Sequence, residues 1–299
     1  MLPNGNMSEV QRRQMSTIEA DNVYALRING TFDDCQDLVK QAFIQRDFLK
    51  PDQYLLAVNS INWTRIVGQI CYYFYAYNRL VNHEKLNFSI PTGNFVNVFA
   101  CYSAFKMGLP IKTISVAVND NDILHRFFAS NDYSKKQVHE TISPSMDISV
   151  ASNFERLVYD FFLDRSTAKC AELFNNFPNQ GIELDEATWN KKNALFSSSS
   201  VDDAVTQAII QSINNEHHYL LDPHTAVAMQ EAIEVSSSTD HYVVLATAHP
   251  AKFPDIYKKL AIDLSETPKA LKGLYDKTEH LHHFDANYDQ ITSFINSRN

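Results

Sequence analysis

The chain has 299 residues, of which 44% are hydrophobic, and it carries 26 basic residues against 35 acidic ones. This composition supports a substantial buried core in one large domain or two ordinary ones. The acidic balance, without a Lys/Arg-rich patch interleaved with aromatic residues, excludes nucleic acid as an expected partner. No apolar run is as long as a membrane span, so no membrane association is expected. The polar N-terminal residues lack the apolar core of a signal peptide, which favours a cytoplasmic protein.

Strand and helix patterns alternate along the first half of the chain. Apolar runs and apolar/polar alternation predict strands over residues 22–28, 54–60, 86–90 and 112–118. Helical spacing of apolar residues predicts a helix that begins at Asp33, a long aromatic helix over 64–81, and helices after residues 94 and 120. This order of elements predicts an α/β fold, with a parallel sheet covered by helices on both faces.

The second half of the chain has a more helical pattern. SNFERLVYDFFLDR, residues 152–165, predicts a helix, and the polar stretch over 175–200 is expected to be rich in loops. The serine run over 197–200 is interpreted as the cap of a following helix. YVVLATAHP, residues 242–250, predicts a strand that ends in a polar turn and is followed by a helix from Asp255.

The stretch LNFSIPTGNFVNVFACYSAFKMG, residues 86–108, predicts a strand, a tight turn and a helix. Such a turn directs free backbone N–H groups to one spot, where the helix dipole adds partial positive charge, so it can hold a phosphate. A lone Gly-Asn turn is more often a plain connection, and the turn by itself does not establish a site. Ligands of parallel sheets bind beyond the carboxyl ends of the strands, which selects residues 59–62, 92–94 and 247–249.

Motifs at these strand ends resemble a known family. NSINWTR, PTGNF, SPSMDISVASNFERL, DPHTAV and TAHPAKF, in this order, are similar to threonine synthases of the fungal and enterobacterial type. LPNGNMSEVQRRQM and GTFDDCQDLV also match, and the resemblance runs from Leu2 to about Gly273. It implies a tryptophan-synthase-β-like fold (pyridoxal-phosphate fold type II), incomplete at the N-terminal side. Residues 1–85 would be the remainder of a smaller subdomain, and residues 86–299 the large domain that binds pyridoxal phosphate.

The resemblance also implies an activity, a cofactor and a set of binding residues. Threonine synthase is a lyase that acts on phosphates and converts O-phospho-L-homoserine and water to L-threonine and phosphate, the last step of threonine biosynthesis. Its cofactor is pyridoxal 5′-phosphate. The cofactor phosphate would be held by backbone N–H groups of Thr92, Gly93, Asn94 and Phe95. The pyridine nitrogen would be hydrogen-bonded by Thr247. The substrate phosphate would be bound by Ser60, Asn62 and Arg65.

Two features depart from the family pattern. Val96 stands where the family has the second glycine of Gly-Asn-Phe-Gly, and a β-branched residue disfavours positive φ and crowds a close backbone approach. The family's Schiff-base lysine lies in a region N-terminal to the whole of this sequence, so no catalytic residue is assigned here. A threonine synthase represented by its C-terminal part is the first hypothesis. A catalytically inactive, threonine-synthase-like binding or signalling protein is the alternative.

The remaining expectations concern metals and partners. The histidines at 217, 218, 224, 249, 280, 282 and 283 have no regular spacing, so no metal site is expected. Asp222 suits the cap of a helix, and Pro223 suits its first position. Helix capping and a role near the ligand pocket are the two interpretations of this motif, and the sequence leaves both open. An incomplete sheet would expose an edge, which predicts poor solubility or self-association through that edge.

Overall fold

The computed structural model describes residues 1–4, 7–60, 62–80, 85–235, 241–264 and 268–298. Contacts group the chain into two compact units, one made of Met1–Leu56 with Ala251–Asn299 and one made of Ala57–Pro250. This division differs from the expected boundary after residue 85, and the assignment of 1–85 and 86–299 to two subdomains stays a prediction. Among the described residues, no helix combines the length and the apolar character needed to cross a membrane.

The strands and helices are as follows. The strands are β1 (Leu2–Pro3), β2 (Ala25–Asn29), β3 (Leu86–Pro91), β4 (Ile111–Val118), β5 (Phe196–Ser200), β6 (Tyr242–Val244) and β7 (Leu281–Asp285). The helices are α1 (Glu9–Ser16), α2 (Phe32–Gln45), α3 (Trp63–Arg79), α4 (Val96–Lys106), α5 (Ile123–Ser130), α6 (Phe154–Leu157), α7 (Thr167–Gln180), α8 (Glu186–Asn190), α9 (Asp203–His217), α10 (Pro223–Val235), α11 (Pro254–Lys259) and α12 (Tyr288–Asn296). Val81, the expected last residue of the aromatic helix, lies outside the described residues.

The first unit contains a parallel sheet in the order β1-β2-β7. Its core includes Leu26 and Ile28 of β2 together with Leu38 of α2 and Ile291 of α12. The strand predicted over 22–28 corresponds to β2, and the helix predicted from Asp33 corresponds to α2. Thr31 caps α2, and its side chain and that of Asp34 each accept the other's backbone N–H, which satisfies two donors that a helix start leaves free.

The second unit contains a parallel sheet in the order β5-β4-β3-β6. Strand β3 is buried along its whole length, as expected for a strand with both faces covered. Phe88 contacts Tyr73 of α3, with ring centroids 5.0 Å apart. The next residue, Ser89, donates its hydroxyl to the carbonyl of Ala228 in α10 at 2.7 Å. Since consecutive strand residues point to opposite faces, α3 and α10 cover the two sides of the sheet, as predicted.

Residues 54–60 do not form the predicted strand. They have no regular structure, and the side chains of Tyr54, Leu56 and Val58 are 91%, 77% and 75% exposed. A strand needs a neighbour to complete its backbone ladder, and no described strand pairs with this segment. Alternation of apolar and polar residues reports an extended chain, but it carries no information about whether a partner strand is present.

The stretch over 175–200 is more ordered than predicted. It contains the end of α7, the short helix α8 and strand β5. The serine run lies in β5 beside β4, where the Ser197 and Ser115 hydroxyl oxygens are 2.7 Å apart, and it does not cap a helix. The cap of α9 is Asp202, whose side chain accepts the N–H of Val205. The strand predicted over 242–250 is confined to β6.

Candidate functional site

The turn between β3 and α4 is fixed at both ends by hydrogen bonds. The N–H of Thr92 donates to the carbonyl of Ala117 in β4 at 3.0 Å. The Thr92 hydroxyl accepts the N–H of Phe95 at 3.1 Å. Phe95 precedes the first residue of α4 with a left-handed φ of 64° and is fully buried. The backbone conformation of the turn is therefore set by the protein itself.

The turn presents donors that the protein leaves available. Within the described part of the chain, no acceptor is bound to the N–H groups of Gly93, Asn94 or Val96. Val96 is the first residue of α4, and the first N–H groups of a helix have no partner inside the helix. These donors and the positive end of the α4 dipole lie together, which is the arrangement that binds a phosphate.

Gly93 lies directly against the backbone of another loop. A Cβ atom built on Gly93 would be 2.8 Å from the carbonyl oxygen of Ser145 and 3.0 Å from the Cα of Met146. These residues form the short 3₁₀ helix Pro144–Met146, which belongs to the SPSM motif. No side chain larger than hydrogen fits at Gly93 without moving that backbone. The PTGNF and SPSM motifs therefore form one packed structure.

Asn94 is held by the segment that precedes α6. Its carbonyl accepts both the backbone N–H and the side-chain amide of Asn153, each at 3.1 Å, and its side-chain oxygen accepts the hydroxyl of Ser152 at 3.3 Å. Asn153 is 1% exposed. The carbonyl side of Asn94 is thus occupied by the protein, so its N–H is the group available to a ligand.

The structure clarifies the effect of Val96. The left-handed residue of the turn is Phe95, whereas Val96 adopts the ordinary conformation of the first helical residue. The Val96 side chain is half-buried and packs against the core of the second unit. The backbone conformation that would exclude a β-branched residue is absent at this position, and only its bulk near the N–H groups remains relevant.

Thr247 lies near the same edge of the sheet as the turn. Strand β6 pairs with β3 in parallel, with Val244 opposite Ser89, and Thr247 is three residues beyond the end of β6. Because parallel neighbours end at the same edge, Thr247 and the turn follow adjacent strand ends. The Thr247 side chain is exposed.

The three residues expected to bind the substrate phosphate lie at the start of α3. Asn62 caps this helix by accepting the N–H of Thr64 at 2.9 Å, and its amide donates to the Ala57 carbonyl at 2.7 Å. Arg65 is exposed and donates one guanidinium N–H to the Val58 carbonyl at 3.0 Å. Ser60 is half-buried. The side-chain oxygen and one amide N–H of Asn62 serve the fold, so Asn62 has a second amide N–H and Arg65 has further donors for a ligand.

Two aromatic residues of α3 contact the first turn of α4. The Trp63 ring is 6.2 Å from that of Phe99 in α4. The hydroxyl of the fully buried Tyr73 lies 2.6 Å from the side-chain oxygen of Asn97 and 2.8 Å from its carbonyl. Burial raises the pKa of Tyr73, so the phenol stays a neutral donor.

Sequence patterns did not single out several residues that shape the turn. Ser145 and Asn153 contact it from segments distant in the chain, and Tyr73 bonds to Asn97 in the first turn of α4. Each lies in a motif or helix that was noticed only as a whole. The signal that could have identified Asn153 and Ser145 is their place inside SPSMDISVASNFERL.

The C-terminal residues and nearly the whole chain are both similar to threonine synthases. The family model described as "Threonine synthase, C-terminal" matches residues 225–295. Threonine synthase of Pseudomonas aeruginosa is 45% identical over 283 residues, which cover 93% of this chain and 60% of that protein. Threonine synthase of Saccharomyces cerevisiae is 39% identical, with 85% of this chain and 54% of that protein covered.

Solved structures agree with the fold. The structure described as PLP-bound threonine synthase from Brucella melitensis has a TM-score of 0.89 and 40% identity over 99% of this chain and 64% of that one. Threonine synthase from Escherichia coli has a TM-score of 0.81 and 30% identity, covering all of this chain and 64% of that one. The predicted α/β fold, pyridoxal-phosphate fold type II, is confirmed. The chain spans 54–64% of the length of these relatives, and over that span it is similar in sequence and fold to threonine synthases.

Proposed function

We propose that this chain is the cofactor-binding part of a threonine synthase. The activity is the conversion of O-phospho-L-homoserine and water to L-threonine and phosphate with pyridoxal 5′-phosphate. The observation that carries the proposal is the turn at the start of α4, where the N–H groups of Gly93, Asn94 and Val96 are available while those of Thr92 and Phe95 are bonded within the protein. A relative with a TM-score of 0.89 is described as PLP-bound, which supports the same cofactor here.

The residues of the turn fit a cofactor phosphate. A phosphate needs several converging donors and no side chain in their path, and the turn offers the N–H groups of Gly93, Asn94 and Val96. Asn94 is fixed by Asn153, and Phe95 by the Thr92 hydroxyl within the turn, so the donors are in place before a ligand arrives. Preorganised donors stabilise the bound phosphate without the cost of ordering the loop.

Thr247 is proposed as the partner of the pyridine nitrogen. When bound, pyridoxal phosphate supplies an electron sink for proton removal and for loss of the substrate phosphate. A threonine hydroxyl is neutral and leaves the pyridine nitrogen largely unprotonated, which weakens that sink compared with an aspartate partner. Thr247 follows β6 at the edge where the turn follows β3, which supports this role.

Arg65 is proposed to bind the phosphate of the substrate, with Ser60 and Asn62 completing the group. An arginine presents a planar fork of donors that suits a phosphate, and one donor of Arg65 is fixed to the Val58 carbonyl. The remaining donors are held in one orientation by that bond. Asn62 caps α3, and Arg65 is the third residue of that helix, so the cap holds the backbone of Arg65 in place.

We also propose that the protein acts in the cytoplasm, that residues 86–299 carry the cofactor, and that copies of the chain associate through an exposed sheet edge. Among the described strands, β6 is an edge of the second sheet and contributes only three paired residues. Exposed ladders of this kind recruit further strands. Sedimentation velocity over a range of concentrations measures this: a species heavier than 34.1 kDa is expected, and a monomer at all concentrations contradicts it.

Two measurements test the function. Fluorescence titration of the purified chain with pyridoxal 5′-phosphate is expected to show saturable binding that inorganic phosphate competes away. A fusion of this chain to the N-terminal part of the Pseudomonas aeruginosa relative, which the alignment leaves uncovered, is expected to release threonine and phosphate from O-phosphohomoserine. A fusion that binds the cofactor but releases no threonine would favour the inactive, threonine-synthase-like alternative. The absence of binding by either protein would overturn the proposal.

A further inference from the structure

A buried carboxylate–imidazole pair lies at the start of α10. Asp222 and His224 are 2% and 4% exposed, and the Asp222 Oδ1 is 3.1 Å from the His224 Nδ1. The same carboxylate accepts the N–H of His224 at 3.0 Å and the hydroxyl of Thr225. Burial acts to raise the pKa of Asp222, but the hydrogen bonds from His224 and Thr225 outweigh it and lower the pKa. Asp222 is therefore an ionised acceptor, and Nδ1 of His224 carries the proton.

The other ring nitrogen of His224 faces a different segment of the chain. The backbone N–H of Ser145 donates to the His224 Nε2 at 3.3 Å. With the proton on Nδ1, Nε2 has the lone pair that this bond requires. The carbonyl of Ser145 is in turn the atom nearest to a Cβ built on Gly93. One peptide segment is thus held by the imidazole on one side and lies against the glycine of the turn on the other.

Helix capping does not account for the imidazole. The Asp222 carboxylate caps α10 by accepting the backbone N–H groups of His224 and Thr225. Pro223 occupies the first helical position. Capping uses only the backbone of His224, so any side chain would allow it. The imidazole instead joins α10 to the 3₁₀ helix Pro144–Met146. Ser89 holds α10 against β3 through the Ala228 carbonyl, which fixes the position from which His224 reaches out.

We propose that His224 is a positioning residue, which sets the Gly93 turn by fixing the backbone of Ser145. The inference rests on the proposed phosphate site, because the turn that it positions is the one assigned to the cofactor phosphate. Asp222 orients the ring, His224 holds the Ser145 N–H, and the Ser145 carbonyl limits where Gly93 can lie. A loss of this bond removes the side-chain partner of the Ser145 N–H and allows the segment to shift away from the turn.

The first test is independent of substitutions and of the cofactor. Nitrogen NMR of the histidine rings in the wild-type chain reports which nitrogen of His224 carries the proton. A protonated Nδ1 and an unprotonated Nε2 that accepts the Ser145 N–H are expected. A proton on Nε2 would turn that atom into a donor, which cannot accept the Ser145 N–H, and would overturn the inference.

The second test compares two amides at the same position. In His224→Gln the side-chain oxygen reaches as far as Nε2 and can still accept from Ser145. In His224→Asn the shorter side chain can still donate to Asp222 but falls short of Ser145. Only His224→Asn is expected to shift the Gly93 amide signal, to speed hydrogen exchange at Ser145, and to weaken pyridoxal phosphate binding by about tenfold. Equal behaviour of the two variants contradicts the inference.

The outcomes separate this inference from the proposed function. If the wild-type chain binds no pyridoxal phosphate but only His224→Asn shifts Gly93, the cofactor proposal fails and the positioning role stands. If pyridoxal phosphate binds equally to the wild type and both variants, the cofactor proposal stands and the positioning role fails. Melting temperatures alone do not decide, because a merely structural role would lower them as well.

Discussion

The carbonyl oxygen of Ser145 lies 2.8 Å from the position that a Cβ on Gly93 would take. These residues are far apart in sequence, in the SPSM and PTGNF motifs. Their close approach explains why a glycine stands in the turn, since any side chain would displace the backbone of Ser145 and Met146. The glycine serves the packing of two loops, and this packing leaves the turn with a fixed set of N–H donors.

Replacement of Gly93 by alanine is expected to damage the turn. The methyl group must push the Ser145 segment away, which we expect to lower the free energy of unfolding by about 1–3 kcal/mol and to weaken pyridoxal phosphate binding at least about tenfold. Chemical denaturation and fluorescence titration measure the two effects. The matched control is Gly68→Ala in the middle of α3, where a Cβ meets nothing within 4 Å. It is expected to stabilise by about 0.5–1 kcal/mol. Similar losses in both variants would contradict the role of the close contact.

Val96→Gly tests whether the departure from the family glycine matters. Phe95 carries the positive φ and Val96 is already helical, so the glycine should bring no tighter phosphate binding. It is expected to destabilise the protein by about 1–2 kcal/mol, from the loss of a half-buried side chain and the greater freedom of glycine. Titration with inorganic phosphate measures the affinity, and Val96→Ala separates side-chain size from backbone freedom. Much tighter binding in both variants would show that the valine side chain obstructs the site.

Arg65→Lys tests the proposed contact with the substrate phosphate. A lysine keeps the charge but cannot hold the Val58 carbonyl and also present a fork of donors. We expect about tenfold weaker binding of O-phosphohomoserine, measured by calorimetry, because one charge-assisted hydrogen bond is lost. Arg79→Lys at the other end of α3, where the guanidinium contacts Tyr75, is the control and should bind as the wild type does. An equal loss in both would indicate a general charge effect.

The stability of the first unit should depend on pH through Glu279. Its carboxylate accepts two hydrogen bonds from Arg12 at 2.9 Å each and one from the Ser16 hydroxyl at 2.6 Å. The hydrogen bonds from Arg12, and then those from Ser16 and the nearby charges, lower the pKa of Glu279 from 4.5 to about 2. Because the folded pKa lies below the unfolded one, the stabilisation is complete above about pH 4.5 and is lost as the pH falls towards 2.

Glu279→Gln is therefore expected to cost about 1–2 kcal/mol near pH 7, and the difference from the wild type should shrink on acidification. Urea unfolding at a series of pH values measures this. Glu9→Gln removes an exposed partner of Arg13 in the same unit, and the expected loss is at most about 0.5 kcal/mol. A Glu279→Gln deficit that is constant from pH 7 to 3 would argue against an ionised Glu279 as its cause.

Local patterns were sufficient for much of the fold. The periodicity of residues 86–118 predicted β3, α4 and β4, because a short buried strand and a helix differ in the spacing of their apolar residues. The turn at Gly93 was visible for the same reason. The same rules failed at residues 54–60, which have the alternation of a strand but no described partner, and at the serine run, whose polar residues lie in β5.

By itself the sequence determined the parallel α/β class, the position of the turn at Gly93 and, through its ordered motifs, the similarity to threonine synthases. Only the tertiary structure decided that the strands divide between two sheets, that Phe95 and not Val96 takes the left-handed conformation, and that His224 and Gly93 meet across Ser145. The reason is physical. Periodicity records which face of a segment is buried, whereas pairing and close contacts depend on which distant segment covers that face.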